Sequence, residues 1–256
     1  YEDIATIQAV PNKGYKFVNW SDGNKYTFRQ IKVDKDENLT AKFVYDPDSE
    51  NYVYTIKTNV DPEGSGAVTG AGQYNQGDTV MLKATEKEGY VFENWTDKNG
   101  NIINSKNFSF RATDDMEWTA HFKIAQYTLN LSKTGNGKVY INSEDISKKL
   151  FNYNDSTVIK AEAGDHSSFV KWSDNNTDIE RTLIITKNIN LTAIFDTDQF
   201  NVTLTAGEGG TVSGAGKYDY NSNVTIKATS KPGYKFINWT DKDNKVVSTD
   251  NNYTFK

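Results

Sequence analysis

Cysteine is absent from all 256 residues. That excludes disulfides, thiolate metal sites and cysteine nucleophiles. Histidine appears twice and proline four times. No apolar run approaches the ~18 residues that a membrane-spanning helix needs, and the longest aliphatic run is Leu183-Ile184-Ile185. The opening residues show no basic, apolar and small-residue leader pattern, and no membrane insertion is expected of this segment. Basic residues are outnumbered, 29 against 34 acidic, for a net charge of -5. A nucleic-acid binder would want a clustered basic face, so no nucleic-acid partner is expected.

What is abundant is aromatic, at 13%. Regularly placed aromatics exclude the disordered class that the polar bulk suggests. Three Arg stand against 26 Lys and 28 Asn, a bias towards A/T-rich codons and a low-GC genome.

Self-similarity organises the chain. Four segments align without gaps: IQAVPNKGYKFVNWSD (7–22), LKATEKEGYVFENWTD (82–97), IKAEAGDHSSFVKWSD (159–174) and IKATSKPGYKFINWTD (226–241). The pairs Ala9 and Trp20, Ala84 and Trp95, Ala161 and Trp172, and Ala228 and Trp239 are all 11 residues apart. Ahead of this block lies an alternating strand opening at Tyr54, Tyr127 or Phe200, spaced by 73 residues, then a glycine turn. Behind it lies a closing strand: NLTAKF (38–43), EWTAHF (117–122) or NLTAIF (190–195). The expected domains are a partial repeat over 1–46, whole repeats over 50–125 and 126–198, and a partial repeat over 199–256.

Apolar residues alternate with polar ones nearly everywhere, as at Val224/Ile226/Ala228, which predicts half-buried antiparallel strands. No window shows a capped 3.6-residue pattern; the one place for a helical turn or two is Asn142–Leu150. The fold class is therefore mainly β: about six short strands per module, a β-sandwich or β-grasp-like form, with modules end to end as a rod. Trp20, Trp95, Trp172 and Trp239, with Phe17, Phe92, Phe169 and Phe236, are the expected core. Phe and Trp three apart lie on opposite faces of a regular strand. A bulge must intervene if both are buried.

The G-Y-x-F-x-x-W-S/T-D block and the N-L-T-A-x-F strand resemble the divergent internalin-type B-repeat family, related to the Listeria–Bacteroides repeats. The third copy departs from the pattern, with His166-Ser167 for Gly-Tyr, and the second carries Trp118 for the closing Leu. The resemblance implies tandem modules of bacterial surface or secreted proteins, extracellular or wall-attached, with an extension or adhesion role. Related repeats are β-grasp-like with a helix, which no window here supports.

Chemistry is sparse. The loops at Asp22, Asp97, Asp174 and Asp241 alternate carboxylates and amides, as calcium loops do. None has a downstream bidentate Glu, and Asx turns use the same residues; turn chemistry is the reading and calcium the alternative. His121 and His166 each occur in one module only and read as incidental surface residues. The glycine segments lack a phosphate-loop lysine and read as hairpin turns. No catalytic residue and no cofactor is expected. The leading function is a non-enzymatic spacer or stalk. The alternative is an adhesion module for a host protein or glycan, appended to a larger secreted enzyme. Head-to-tail pairing between the partial first and fourth repeats is a further expectation.

Overall fold

The computed structural model describes residues 3–256. They form two compact units, Tyr1–Gln126 with Asn152–Asn154, and Tyr127–Phe151 with Asp155–Lys256. In the first repeat the strands are β1 (Asp3–Gln8), β2 (Tyr15–Trp20), β3 (Phe28–Val33) and β4 (Ala41–Tyr45). A 3-10 turn, Pro47–Asn51, follows. The second repeat contains β5 (Val53–Asp61), β6 (Gly66–Thr69), β7 (Gly72–Asn75), β8 (Thr79–Glu86), β9 (Tyr90–Asp97), β10 (Ile102–Ile103), β11 (Asn107–Arg111) and β12 (Met116–Ile124). The third contains β13 (Gln126–Thr134), β14 (Gly137–Ile141), β15 (Lys148–Asn152), β16 (Asp155–Ala163), β17 (Ser167–Trp172), β18 (Glu180–Ile185) and β19 (Ile189–Thr197). The fourth contains β20 (Gln199–Val202), β21 (Gly210–Ser213), β22 (Gly216–Asp219), β23 (Val224–Ser230), β24 (Trp239–Thr240), β25 (Val246–Ser248) and β26 (Asn252–Phe255).

Each whole repeat is two sheets around one core. In the second, β10-β9-β12-β5-β7 faces β11-β8-β6; in the third, β15-β13-β19-β17 faces β14-β16-β18. Strand β8 shows why the sequence folds so. Val80, Leu82 and Ala84 are buried, and the residues between them are exposed. They meet Ile56, Trp95, Trp118 and Ala120 of the other sheet. Burying one such aliphatic side chain contributes about 1.5–3 kcal/mol. The first and last strands of each whole repeat, β5 with β12 and β13 with β19, pair in parallel; β9 with β10 and β12, β5 with β7, β8 with β6 and β11, β16 with β14 and β18, and β17 with β19 pair antiparallel.

The Phe–Trp spacing is resolved by a bulge. The register of β2 on β4 slips between Phe17 and Asn19, and that of β17 on β19 between Phe169 and Lys171. On β9 the slip skips Glu93, so Phe92 meets Phe122 while Trp95 meets Ala120. One extra residue brings both rings to the same face. A glycine on the opposite sheet completes the fit, since a Cβ on Gly66 would strike the Phe122 ring and one on Gly137 the Phe195 ring.

Two expectations need correction. The whole repeats hold eight and seven strands rather than six. Nor does Asn142–Leu150 contain a helical turn. Asn142 and Ser143 take positive φ (51° and 65°), a short bridge joins Ile141 to Glu144, and Lys148–Asn152 is the strand β15. The Asn142 carboxamide oxygen accepts from Thr157 Oγ1 and the Val158 N–H, both at 2.9 Å, and Asn tolerates the left-handed region. Only Phe151 of that strand is buried, and Leu150 faces solvent. No α-helix occurs among the described residues.

Candidate functional site: tryptophan loops and module joints

All four repeat tryptophans are buried. Trp95 and Trp172 are fully enclosed, and Trp20 and Trp239 are 7% and 8% exposed. Their companions Phe17, Phe92, Phe169 and Phe236 are half-buried, with ring centroids 5.5–6.2 Å from the neighbouring Trp. Each indole N–H donates to a carbonyl across the loop that follows. In the first and third repeats the acceptor is six residues on, Tyr26 and Asp178, both at 2.9 Å. In the second and fourth it is eleven residues on, Lys106 at 3.2 Å and Asp250 at 3.1 Å. Short and long loops thus alternate along the chain, and the short loops carry W-S-D while the long ones carry W-T-D.

The four loop aspartates are spent on N–H donors. Asp22 accepts from the Asn24 N–H at 3.0 Å and from Arg29 at 2.7 Å; Asp174 accepts from Asn176 at 3.3 Å and Arg181 at 2.6 Å. Asp97 Oδ1 takes the N–H groups of Asn99 and Asn101, and Asp241 Oδ1 those of Asp243 and Lys245. These are Asx turns in their bonding. The Asn24 N–H and then Arg29 hold the Asp22 carboxyl below its ordinary range. At Asp174 burial pushes the carboxyl up, but Arg181 and the Asn176 N–H outweigh it, and the net shift is also down. Among the described residues no three His, Asp or Glu side chains group to hold a metal ion.

His121 was read as incidental, yet it bridges three strands. Its Nδ1 lies 2.9 Å from Asp61 Oδ2 and its Nε2 lies 2.8 Å from Thr96 Oγ1. The three residues come from β5, β12 and β9, so only the folded sheet brings them together. His166 has a role too. It occupies the turn position held by Gly14, Gly89 and Gly233, at φ 54°, and its ring stacks on Tyr220 with centroids 3.6 Å apart.

That turn position is half of a joint. In the second unit the Asp198 N–H donates to the His166 carbonyl at 2.9 Å, and the Tyr220 N–H donates to the Asp198 carbonyl at 2.8 Å. In the first unit the Ala125 N–H likewise donates to Gly89, and the Tyr153 N–H to Ala125. One residue makes both bonds in each case. Between the first two repeats the two bonds fall on different residues. Asp46 donates to Gly14, Tyr52 accepts from Gln76, and the Pro47–Asn51 turn fills the gap. Lys16 and the Tyr52 hydroxyl converge on the Asp46 carboxylate at 2.9 and 3.0 Å and hold its pKa down.

The first two repeats also dock side by side, which no sequence pattern announced. The Gln8 carboxamide gives to the Arg111 carbonyl and takes its N–H, at 2.8 and 3.1 Å. Gln30 does the same with Ile102, and Asn101 Oδ1 takes the Gln30 N–H at 2.6 Å. Thr113 and Thr27 hydroxyls meet at 2.9 Å. Phe28 sinks between Phe110 and Trp118, and is counted in the core of the second repeat.

Two-sheet modules repeated in tandem along the chain define an all-β repeat array. The chain belongs to the divergent InlB B-repeat family, whose model matches residues 1–47, 56–126, 127–199 and 200–256. That is a repeat-domain family rather than a catalytic one, of a surface or secreted type. No curated protein matches the chain. Among solved structures, it resembles the Bacillus anthracis TIE protein at 10% identity and a TM-score of 0.33, over 99% of this chain and 65% of that one. The chain therefore spans slightly less than two thirds of that protein. No helix among the described residues is long and apolar enough to cross a membrane.

Proposed function

We propose that this array is a non-enzymatic extracellular spacer of a bacterial surface or secreted protein, and that its work is to hold neighbouring parts of the protein at set separations. The observation that carries this reading is the joint. A linker of one residue, bonded on both sides through its backbone, leaves little freedom between neighbours. At Asp198 the His166–Tyr220 stack stiffens it further. The chain has no cysteine, so a spacer test is clean. Fluorophores on Ile184→Cys and Val247→Cys report the third and fourth repeats, both sites being exposed. A single narrow distance distribution is expected; a broad one, as from a free hinge, would overturn the reading.

One observation favours adhesion as a second reading. Tyr15 and Tyr45 form an exposed edge-to-face pair with centroids 5.7 Å apart. Paired tyrosines of this kind suit a sugar face or a host protein. Retention on a glycan array that is lost in Tyr45→Ala would favour it. The expected head-to-tail pairing of chains is likewise a proposal, and scattering against concentration checks it.

A further inference from the structure

The parallel pairing of first and last strands has a mechanical meaning. The chain enters the second repeat at the start of β5 and leaves it at the end of β12. Because the two strands run the same way, entry and exit lie at opposite ends of one ladder, whose register runs from Met116↔Ile56 to His121↔Asp61. The third repeat reproduces this with Leu129↔Ile189 to Thr134↔Ile194. Tension between neighbouring modules would slide the two strands along each other. The bonds between them lie across that direction, so they must fail together. In a peeling geometry they would fail one at a time.

Side chains reinforce the same seam in both repeats. Asn59 donates to Glu117 at 2.7 Å, and His121 joins Asp61 and Thr96. In the third repeat Asn130 donates to Asn190 at 2.8 Å, and Ser132 meets Thr192 at 2.7 Å. The seam's start is tied as well, by Asp115 on the Thr55 N–H and Asn188 on the Thr128 N–H. Beneath it lie Ile56, Trp118 and Ala120, or Leu129, Leu131, Leu191 and Ala193, all buried. Water therefore reaches the seam from one side only.

We propose that each whole repeat is a shear clamp, so that the array bears load along the chain. The proposal deepens the spacer reading and rests on it for its purpose. The two fail separately, since a stiff array could still be mechanically weak. The test is single-molecule pulling on the full chain through engineered cysteines, which are unique here. Handles on Val53→Cys and Ile124→Cys load the β5–β12 seam in shear; handles on Val53→Cys and Asp114→Cys peel it from one end. All three positions are exposed. At equal loading rate the shear geometry is expected to need at least about twice the force, because forced unfolding follows the barrier rather than the equilibrium stability. Equal forces, or a stronger peel, would overturn the clamp. Pulling the unaltered repeats through handles on the chain ends adds a check that needs no substitution in the seam. Two events are expected, each releasing roughly 24 nm, above any others in force; their absence would also overturn the proposal.

Discussion

Phe28 stands edge-on to Trp118, with ring centroids 5.5 Å apart and planes at 84°. A side chain of the first repeat thereby completes the core of the second. Phe28→Ala is expected to cost about 3–5 kcal/mol, as buried aromatic truncations do. The loss should appear in the second repeat as well as the first. Urea unfolding followed by exchange of the Arg111 and Ile102 amides checks this, since both are held across that contact. A change confined to the first repeat would mean that Phe28 is a passenger.

Trp172 is fully buried in the third repeat. Trp172→Ala should cost about 3–5 kcal/mol. Trp172→Phe should cost less, but more than a shape change alone, because the Asp178 carbonyl loses its indole donor. Thermal melts of the two variants rank them.

Acid should loosen the loops and the first joint. Asp22, Asp46, Asp174 and Glu86 are all held below their ordinary values by N–H donors or by Lys and Arg neighbours. A lowered folded pKa means that stability is fully present above the unfolded value, about pH 4, and is lost as pH falls through the folded values. The melting temperature should therefore be flat from neutral pH to about 5 and fall below 4. Asp46→Asn should shallow that fall, and an unchanged acid limb would contradict the assignment.

Chelation should do nothing. The loop carboxylates are taken by N–H groups, so neither EDTA nor added calcium is expected to move the melting temperature. Asp97→Ala should cost about 1–3 kcal/mol through the orphaned Asn99 and Asn101 amides. Restoration of a chelator-induced drop by calcium would turn these turns into metal sites.

The cores were legible because the repeat tells its own story: a Trp kept at one spacing in four copies must serve something common to all four. The bulge was legible for a geometric reason, since Phe17 and Trp20 cannot otherwise share a face. The side-by-side docking was not. Gln8 and Gln30 carry no signal of their own, Asn101 reads only as an amide of the Asp97 loop, and their partners are backbone groups, which carry no residue signature. His121 was hidden likewise, because its partners come from strands 25 and 60 residues away. The strand β15 was mistaken for a helical turn because only one of its residues is buried, too few to show a period.

The hydrogen bonds that hold Ala125 and Asp198 in place are made between main-chain atoms. Such bonds do not read the identity of their neighbours, whichever ring packs on the turn beside them. Copies could then be gained, lost or exchanged by recombination between near-identical gene segments, and each new adjacency would fit without an interface having to evolve. Array length would be free to drift under selection for reach, while the side-by-side contact at Phe28, which does depend on identity, would mark a pair that must be inherited together.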